Sequence, residues 1–232
     1  MPNSSDASKT ESRRRGRGRP ARLSREQIAG AALEVGLDKA TVTALAAHLG
    51  VDHSSLYRHV RNRDAIVALA AEMAIAELDW RSPTGADWRV ELIKLTDAIW
   101  ELYQRHPGLA EAFRTMEIMP QSGIRAFAEA VSRLQAHGFL LEDAVLAIDT
   151  LVDLVGDCFL GWHALGQADR QQGNRMEAMV AQWRREACAL PDHAEQIGGM
   201  ITVMQGGARP WWERKRDLVL DGLQQRYALT TR

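Results

Sequence analysis

Cysteine is scarce: the two in this 232-residue chain, Cys158 and Cys188, stand thirty positions apart with no CxxC pair or ligand-spaced histidine beside them. That spacing excludes a disulfide framework and a sequence-encoded zinc site, and fits a reducing compartment. Long apolar runs are also missing. No stretch reaches the ~18 uncharged apolar residues of a membrane span, and the longest, 140–165, is interrupted by Asp149, Asp153 and Asp157. The N-terminus is polar and then arginine-rich, without the apolar segment of a secretory signal. The expectation is a soluble, cytoplasmic protein that makes no use of a membrane. HExxH, GxSxG and GxGxxG are all absent, and seven scattered histidines, among them His106, His137, His163 and His193, lack obvious partners. These absences argue against an enzyme, a metal site and a bound cofactor.

What is present is enough apolar residue, 46% of the chain, to bury a substantial core. Charge is unevenly placed. Up to Arg63 there are twelve Lys and Arg against six Asp and Glu, leaving seventeen against twenty-four for the remainder. A polyanion is drawn to the first part of such a chain and not to the second. Residues 1–12 are rich in Ser, Asn and Asp without periodicity. They lead into Arg13-Arg14-Arg15-Gly16-Arg17-Gly18-Arg19-Pro20, which places charge on a Gly/Pro backbone that cannot pack a core. Residues 1–22 are therefore expected to form a disordered basic arm.

From Ser24 onward the periodicity is helical. Ser24 and Gln27 form a capping box before Ile28, Ala31, Ala32 and Val35, predicting a helix over 24–35. Thr43 is the expected N-cap of a short helix ended by Gly50, Asp52 the cap of another carrying Leu56 and Val60, and Asn62 the cap of a fourth helix reaching about Trp80. Two short helices meeting at a glycine turn make a helix-turn-helix pattern over 43–60. Ala46 and Ala47 keep the first helix slim, while His53, Ser54, Ser55 and Arg58 project near the start of the second, where a major groove would be read. No β-type alternation follows. Amphipathic helices are expected over 88–105, 107–116, 121–137, 142–165, 175–188 and 211–228, with breaks at Pro107, Pro120, Gly138 and 166–173.

The stretch Leu56-Tyr57-Arg58-His59-Val60-Arg61-Asn62-Arg63-Asp64, with Leu45-Ala46 and Leu49-Gly50-Val51 in register, carries a resemblance: residues 23–70 are similar to the DNA-binding domain of the TetR family of repressors. One departure is the connection between helices 1 and 2, shortened to Gly36-Leu37-Asp38-Lys39-Ala40. The resemblance implies that Thr43, Tyr57, His59 and Arg63 contact phosphates while His53, Ser54, Ser55 and Arg58 face base edges. The competing reading has Tyr57 and His59 capping the small core. Arg17 and Arg19, placed just before helix 1, suit a minor groove as well as they suit simple solubilisation. The expected fold is all-α, a three-helix reading domain over 23–70 joined to a larger helical ligand-binding and dimerisation domain over 71–232.

Apolar positions surround the 142–165 helix, so it needs covering on two sides, by its own domain and by a second subunit. With the 211–228 helix it is the expected homodimer contact, as in the four-helix interface the resemblance implies. Asp149, Asp153 and Asp157 recur every four residues. They form either a solvated seam or the acidic wall of a cavity for a cationic or hydrogen-bond-donating ligand. Trp100, Tyr103, Phe113, Met116, Met119, Phe127, Phe159, Trp162 and His163 are the candidate pocket lining, with ordinary core as the competing reading. The expected partners are thus double-stranded operator DNA, a second copy of the chain and an unidentified small-molecule effector. The function is that of a ligand-responsive repressor on a palindromic operator, nucleoid-associated when bound. The alternative is a ligand-independent dimeric DNA-binding or architectural protein.

Overall fold

The computed structural model describes residues 23–83, 85–166, 168–169 and 173–227. Arg17 and Arg19 lie outside them. Among the described residues eleven α-helices carry the architecture, with one 3-10 turn and one two-residue antiparallel strand pair.

Local chemistry sets the ends of the first four helices. α1 (Arg25–Val35) starts at Ser24, whose hydroxyl accepts the Gln27 N–H at 3.2 Å while the Gln27 side chain accepts the Ser24 N–H at 2.9 Å. α2 (Val42–Leu49) is capped by Thr41, whose Oγ1 accepts the Ala44 N–H at 3.1 Å. The cap is therefore two residues earlier than expected. Threonines two apart compete for it, and starting at Thr41 buries Leu45 and Ala46 while leaving Thr43 exposed on the helix. Gly50 ends α2 at φ 64°, the left-handed conformation for which glycine is suited. α3 (His53–Tyr57) follows, and its cap Asp52 uses its backbone carbonyl, not its carboxylate, to accept the Ser55 N–H at 2.9 Å.

α4 (Arg63–Ala76), capped by Asn62 Oδ1 on the Ala65 N–H at 3.0 Å, crosses position 70 without a break. It ends four residues short of Trp80, because the chain leaves the helix to bury that indole under the Arg133 guanidinium, 5.9 Å from the ring centroid.

The remainder is α5 (Trp88–Arg105), α6 (Leu109–Thr115), α7 (Gln121–Ala136), α8 (Leu141–Gly166), the strands β1 (Ala168–Asp169) and β2 (Gly173–Asn174), then α9 (Arg175–Ala189), α10 (Ala194–Gln205) and α11 (Ala208–Tyr227). α8 is the centre, packed on α5, α6, α7, α9 and α11. One continuous core runs from Ile28 through Ile66 and Ile148 to Leu223, joining the reading head to the body. α11 turns Trp212 inward, fully buried and stacked on Trp100 at 6.1 Å, and not the neighbouring Trp211. Asp97 of α5 binds Arg209 and Arg216 of α11 at 2.6 Å each, fixing α11 across the bundle.

Candidate functional site

The helix-turn-helix presents its polar residues outward. Thr43, Gly50, Asp52, His53, Ser54 and Ser55 line one shallow concavity at the α2–α3 turn. Thr43, His53, Ser54 and Arg58 are exposed, while Ser55 and His59 are half-buried. Tyr57 is 57% exposed. Its neighbour Leu56 is fully buried, so Leu56 and Val60 hold α3 on the core and Tyr57 does not cap it. Arg58 Nε sits 3.4 Å from the Ser54 carbonyl. Arg63 does something not foreseen. Its Nη2 donates to the Leu37 carbonyl at 2.7 Å, tying the shortened α1–α2 connection to the start of α4. Only part of the guanidinium fork is used, so the exposed remainder is available to an anion near the positive end of α4.

That connection also touches the body. The Leu37 N–H donates to the Pro107 carbonyl at 2.8 Å. Gly108, at φ 83°, packs so closely that a Cβ there would collide with the Asp38 backbone nitrogen. The N-terminus of α6 is thereby docked against the reading head.

Behind α6 lies a cavity of about 260 Å³. Ile75 and Leu78 on and just beyond α4 form one wall, α5 and α7 two more, and α8 the fourth. Of the expected lining, Tyr103, Phe113, Met119, Phe127, Asp153 and Asp157 are brought together there. Trp100, Met116, Phe159, Trp162 and His163 fall outside it. Trp100 is committed to the Trp212 stack, and Phe159 packs edge-on to Trp100 at 5.3 Å with His163 stacked on it at 5.9 Å. Met116 and Trp162 are half-buried away from the lining. Arg114 was missed; its Nη1 donates to Asp157 Oδ1 at 3.2 Å. Ile75, Leu78, Gly123 and Gly156 were missed too, Gly156 leaving space beside Tyr103 and Gly123 letting α7 approach Ile75 and Met119 closely.

The electrostatics of the cavity are uneven. Burial, reinforced by the charge of Asp153, pushes the Tyr103 hydroxyl up to about 12. The Asp153 carboxyl is raised by desolvation and by its like-charged neighbours Asp149 and Asp157. At the α7 end, the Glu72 carboxylate on α4 accepts the Ser122 N–H with both oxygens at 3.1 Å, and Ser122 Oγ donates back to the Glu72 carbonyl at 3.1 Å. α7 has no side-chain cap of its own, so Glu72 of the packed α4 serves as one.

An exposed helix-turn-helix on a helical body that holds a cavity is an arrangement characteristic of helical transcriptional regulators. Residues 82–227 match the model of the tetracyclin repressor-like C-terminal domain. The chain belongs to the TetR family of transcriptional regulators, which are not enzymes. The tetracycline repressor protein class D of Escherichia coli is 40% identical over 75 residues, a match covering 30% of this chain and 34% of that protein. The match thus spans about a third of that relative. Among solved structures, the Streptomyces coelicolor TetR family protein ActR in complex with (S)-DNPA superposes with a TM-score of 0.72 at 20% identity, covering 88% of this chain and 98% of that one. The same protein in complex with actinorhodin gives 0.71 at 22%, covering 88% and 96%. At these identities the likeness is one of fold. Among the described residues no helix is long and apolar enough to cross a membrane.

Proposed function

We propose that the protein is a ligand-responsive repressor that binds a near-palindromic operator as a homodimer and releases it when a small molecule enters the cavity. The observation that carries this reading is the position of the cavity, walled by α4 and α6, the two elements of the body that meet the reading head. In this division, 1–22 is the arm, 23–70 the reader and 71–232 the sensor and dimerisation body.

Thr43, Tyr57, His59 and Arg63 would hold phosphates, with Arg17 and Arg19 of the arm reaching the minor groove, while His53, Ser54, Ser55 and Arg58 address base edges. Seven of the twelve basic residues up to and including Arg63 precede residue 23, so the arm supplies most of the positive charge. Dimerisation through α8 and α11 is supported by exposed apolar side chains there: Leu141 and Leu146 on α8 and Leu218 on α11, with 75% of Leu218 accessible. Related proteins named for tetracycline, or solved with actinorhodin, make a small-molecule effector the natural partner.

A ligand pressing α4 or α6 changes the separation of the two recognition helices, provided it binds the released state better than the bound one. A coupling of ~1–3 kcal/mol lowers operator affinity roughly 5- to 150-fold. The test is a footprint of the purified protein with and without candidate compounds. One protected two-fold site, lost on adding a compound, is expected. Protection that no compound relieves identifies a ligand-independent DNA-binding protein instead.

A further inference from the structure

We infer that the cavity selects a compact, ring-containing amine, held as its ammonium ion by Asp153 against the faces of Tyr103, Phe113 and Phe127. This rests on the effector-binding reading above and specifies its ligand class. Four lining side chains bear oxygen or nitrogen: Tyr103, Arg114, Asp153 and Asp157. Arg114 is the cation among them and is engaged by Asp157 at 3.2 Å, so these two offset one another. Asp153, one turn earlier on α8, has no Arg, Lys or His partner within 4.0 Å among the described residues. It also stands between Asp149 and Asp157, whose charges act on it.

Asp153 is exposed where it lines the cavity, so water solvates it when no guest is bound; an anion there would meet the surplus carboxylate charge, and a neutral guest would gain nothing from it. An ammonium ion satisfies Asp153 directly, and the reward grows as the ligand displaces water from the mouth.

A second, independent observation concerns Tyr103. The residue is 7% exposed, lines the cavity, and its hydroxyl has no hydrogen-bond partner among the described residues. The hydroxyl faces Gly156, 4.0 Å from where a Cβ would stand. The hydroxyl opens onto the cavity and is not sealed among protein atoms, so a guest can reach it, and an ammonium N–H is a donor it can accept. The Tyr103 and Phe113 rings, centroids 6.2 Å apart at 53°, add π faces to which a cation is attracted. A dry apolar cavity of about 150 Å³ accepts one benzene ring. The 260 Å³ here therefore has room for a bicyclic body with a short aminomethyl arm.

The test is calorimetric titration of the full chain at neutral pH with three probes of one shape: 2-naphthylmethylamine, 2-naphthylmethanol and 2-naphthoate. The amine is expected to bind on the order of tenfold more tightly than the alcohol, and the naphthoate most weakly. Asp153→Asn should bring the amine-to-alcohol ratio to about one, and Asp153→Glu should keep it well above one. Gly156→Leu, which fills the space beside Tyr103, should abolish binding of both. Equal affinity for amine and alcohol, or a ratio untouched by Asp153→Asn, overturns the ammonium assignment while leaving a cavity that binds effectors. Failure of all three probes to bind overturns the ammonium assignment, while the footprint with other compounds decides the effector site itself.

Discussion

Tyr103 illustrates how one buried polar atom can report on the cavity. Its hydroxyl is pushed up to about 12 by burial and by Asp153, against an ordinary value near 10. In the unfolded chain it deprotonates first, so the stability tied to its neutral form is intact below pH ~10 and is lost as pH rises towards 12. Two units correspond to roughly 3 kcal/mol at the alkaline end. Urea unfolding from pH 8 to 12 should therefore show a steeper alkaline decline for the native chain than for Tyr103→Phe; parallel curves would mean the hydroxyl is not desolvated. Gly108 is a second decisive position, left-handed at φ 83° and pressed on Asp38. Gly108→Ala should cost about 2 kcal/mol or more, lowering the Tm by roughly 4–8 °C in a thermal scan. On the DNA side, Tyr57→Ala should weaken binding to all sequences while leaving its salt dependence unchanged, whereas Arg63→Ala should flatten that dependence by about one counterion and His53→Ala should change base preference. An unchanged operator affinity in folded Tyr57→Ala would contradict the assigned contact.

α4 and α7 are joined by the reciprocal Glu72–Ser122 hydrogen bonds at one edge of the cavity, where Gly123 lies close to Ile75 and Met119. A ligand that separates α4 from α7 works against this clamp, which therefore sets how strongly occupancy is felt by the reading head. Glu72→Ala should remove the cap of α7 at a cost of about 1–2 kcal/mol and increase ligand-induced operator release several-fold, as read by fluorescence anisotropy of labelled operator. Release unchanged in that variant would place the coupling elsewhere. The helices themselves were largely legible in the sequence. Where a strong cap and a clear break coincide, as at Ser24, Asn62 and Arg105, the expected and observed bounds agree closely. α10 was not foreseen, because Gly198 and Gly199 sit in its middle and lower its intrinsic propensity; packing against α9 outweighs them. The cavity was only half legible. Its aromatic and acidic members stand out by type, but Ile75, Leu78 and Leu95 repeat at the same helical spacing whether they face a void or a neighbour.

On the scale of the whole molecule, a basic leading segment, an exposed helix-turn-helix and apolar faces on α8 and α11 are the parts a two-fold DNA reader requires. A recognition helix as short as α3 specifies few base pairs, so in the proposed dimer two of them would share the reading of one operator. Placing a charge on the exposed apolar faces, with Leu146→Asp and Leu218→Asp together, should shift the protein in sedimentation velocity from twice the chain mass of 25.8 kDa to once that mass. The double variant should lose operator binding without losing its helical circular dichroism signal. The most direct test of the account is selection of bound fragments from random double-stranded DNA by the purified full chain. Enrichment of one near-palindrome, with half-sites an integral number of helical turns apart, is the predicted result. Recovery of single, asymmetric half-sites, or of no consensus at all, would contradict it.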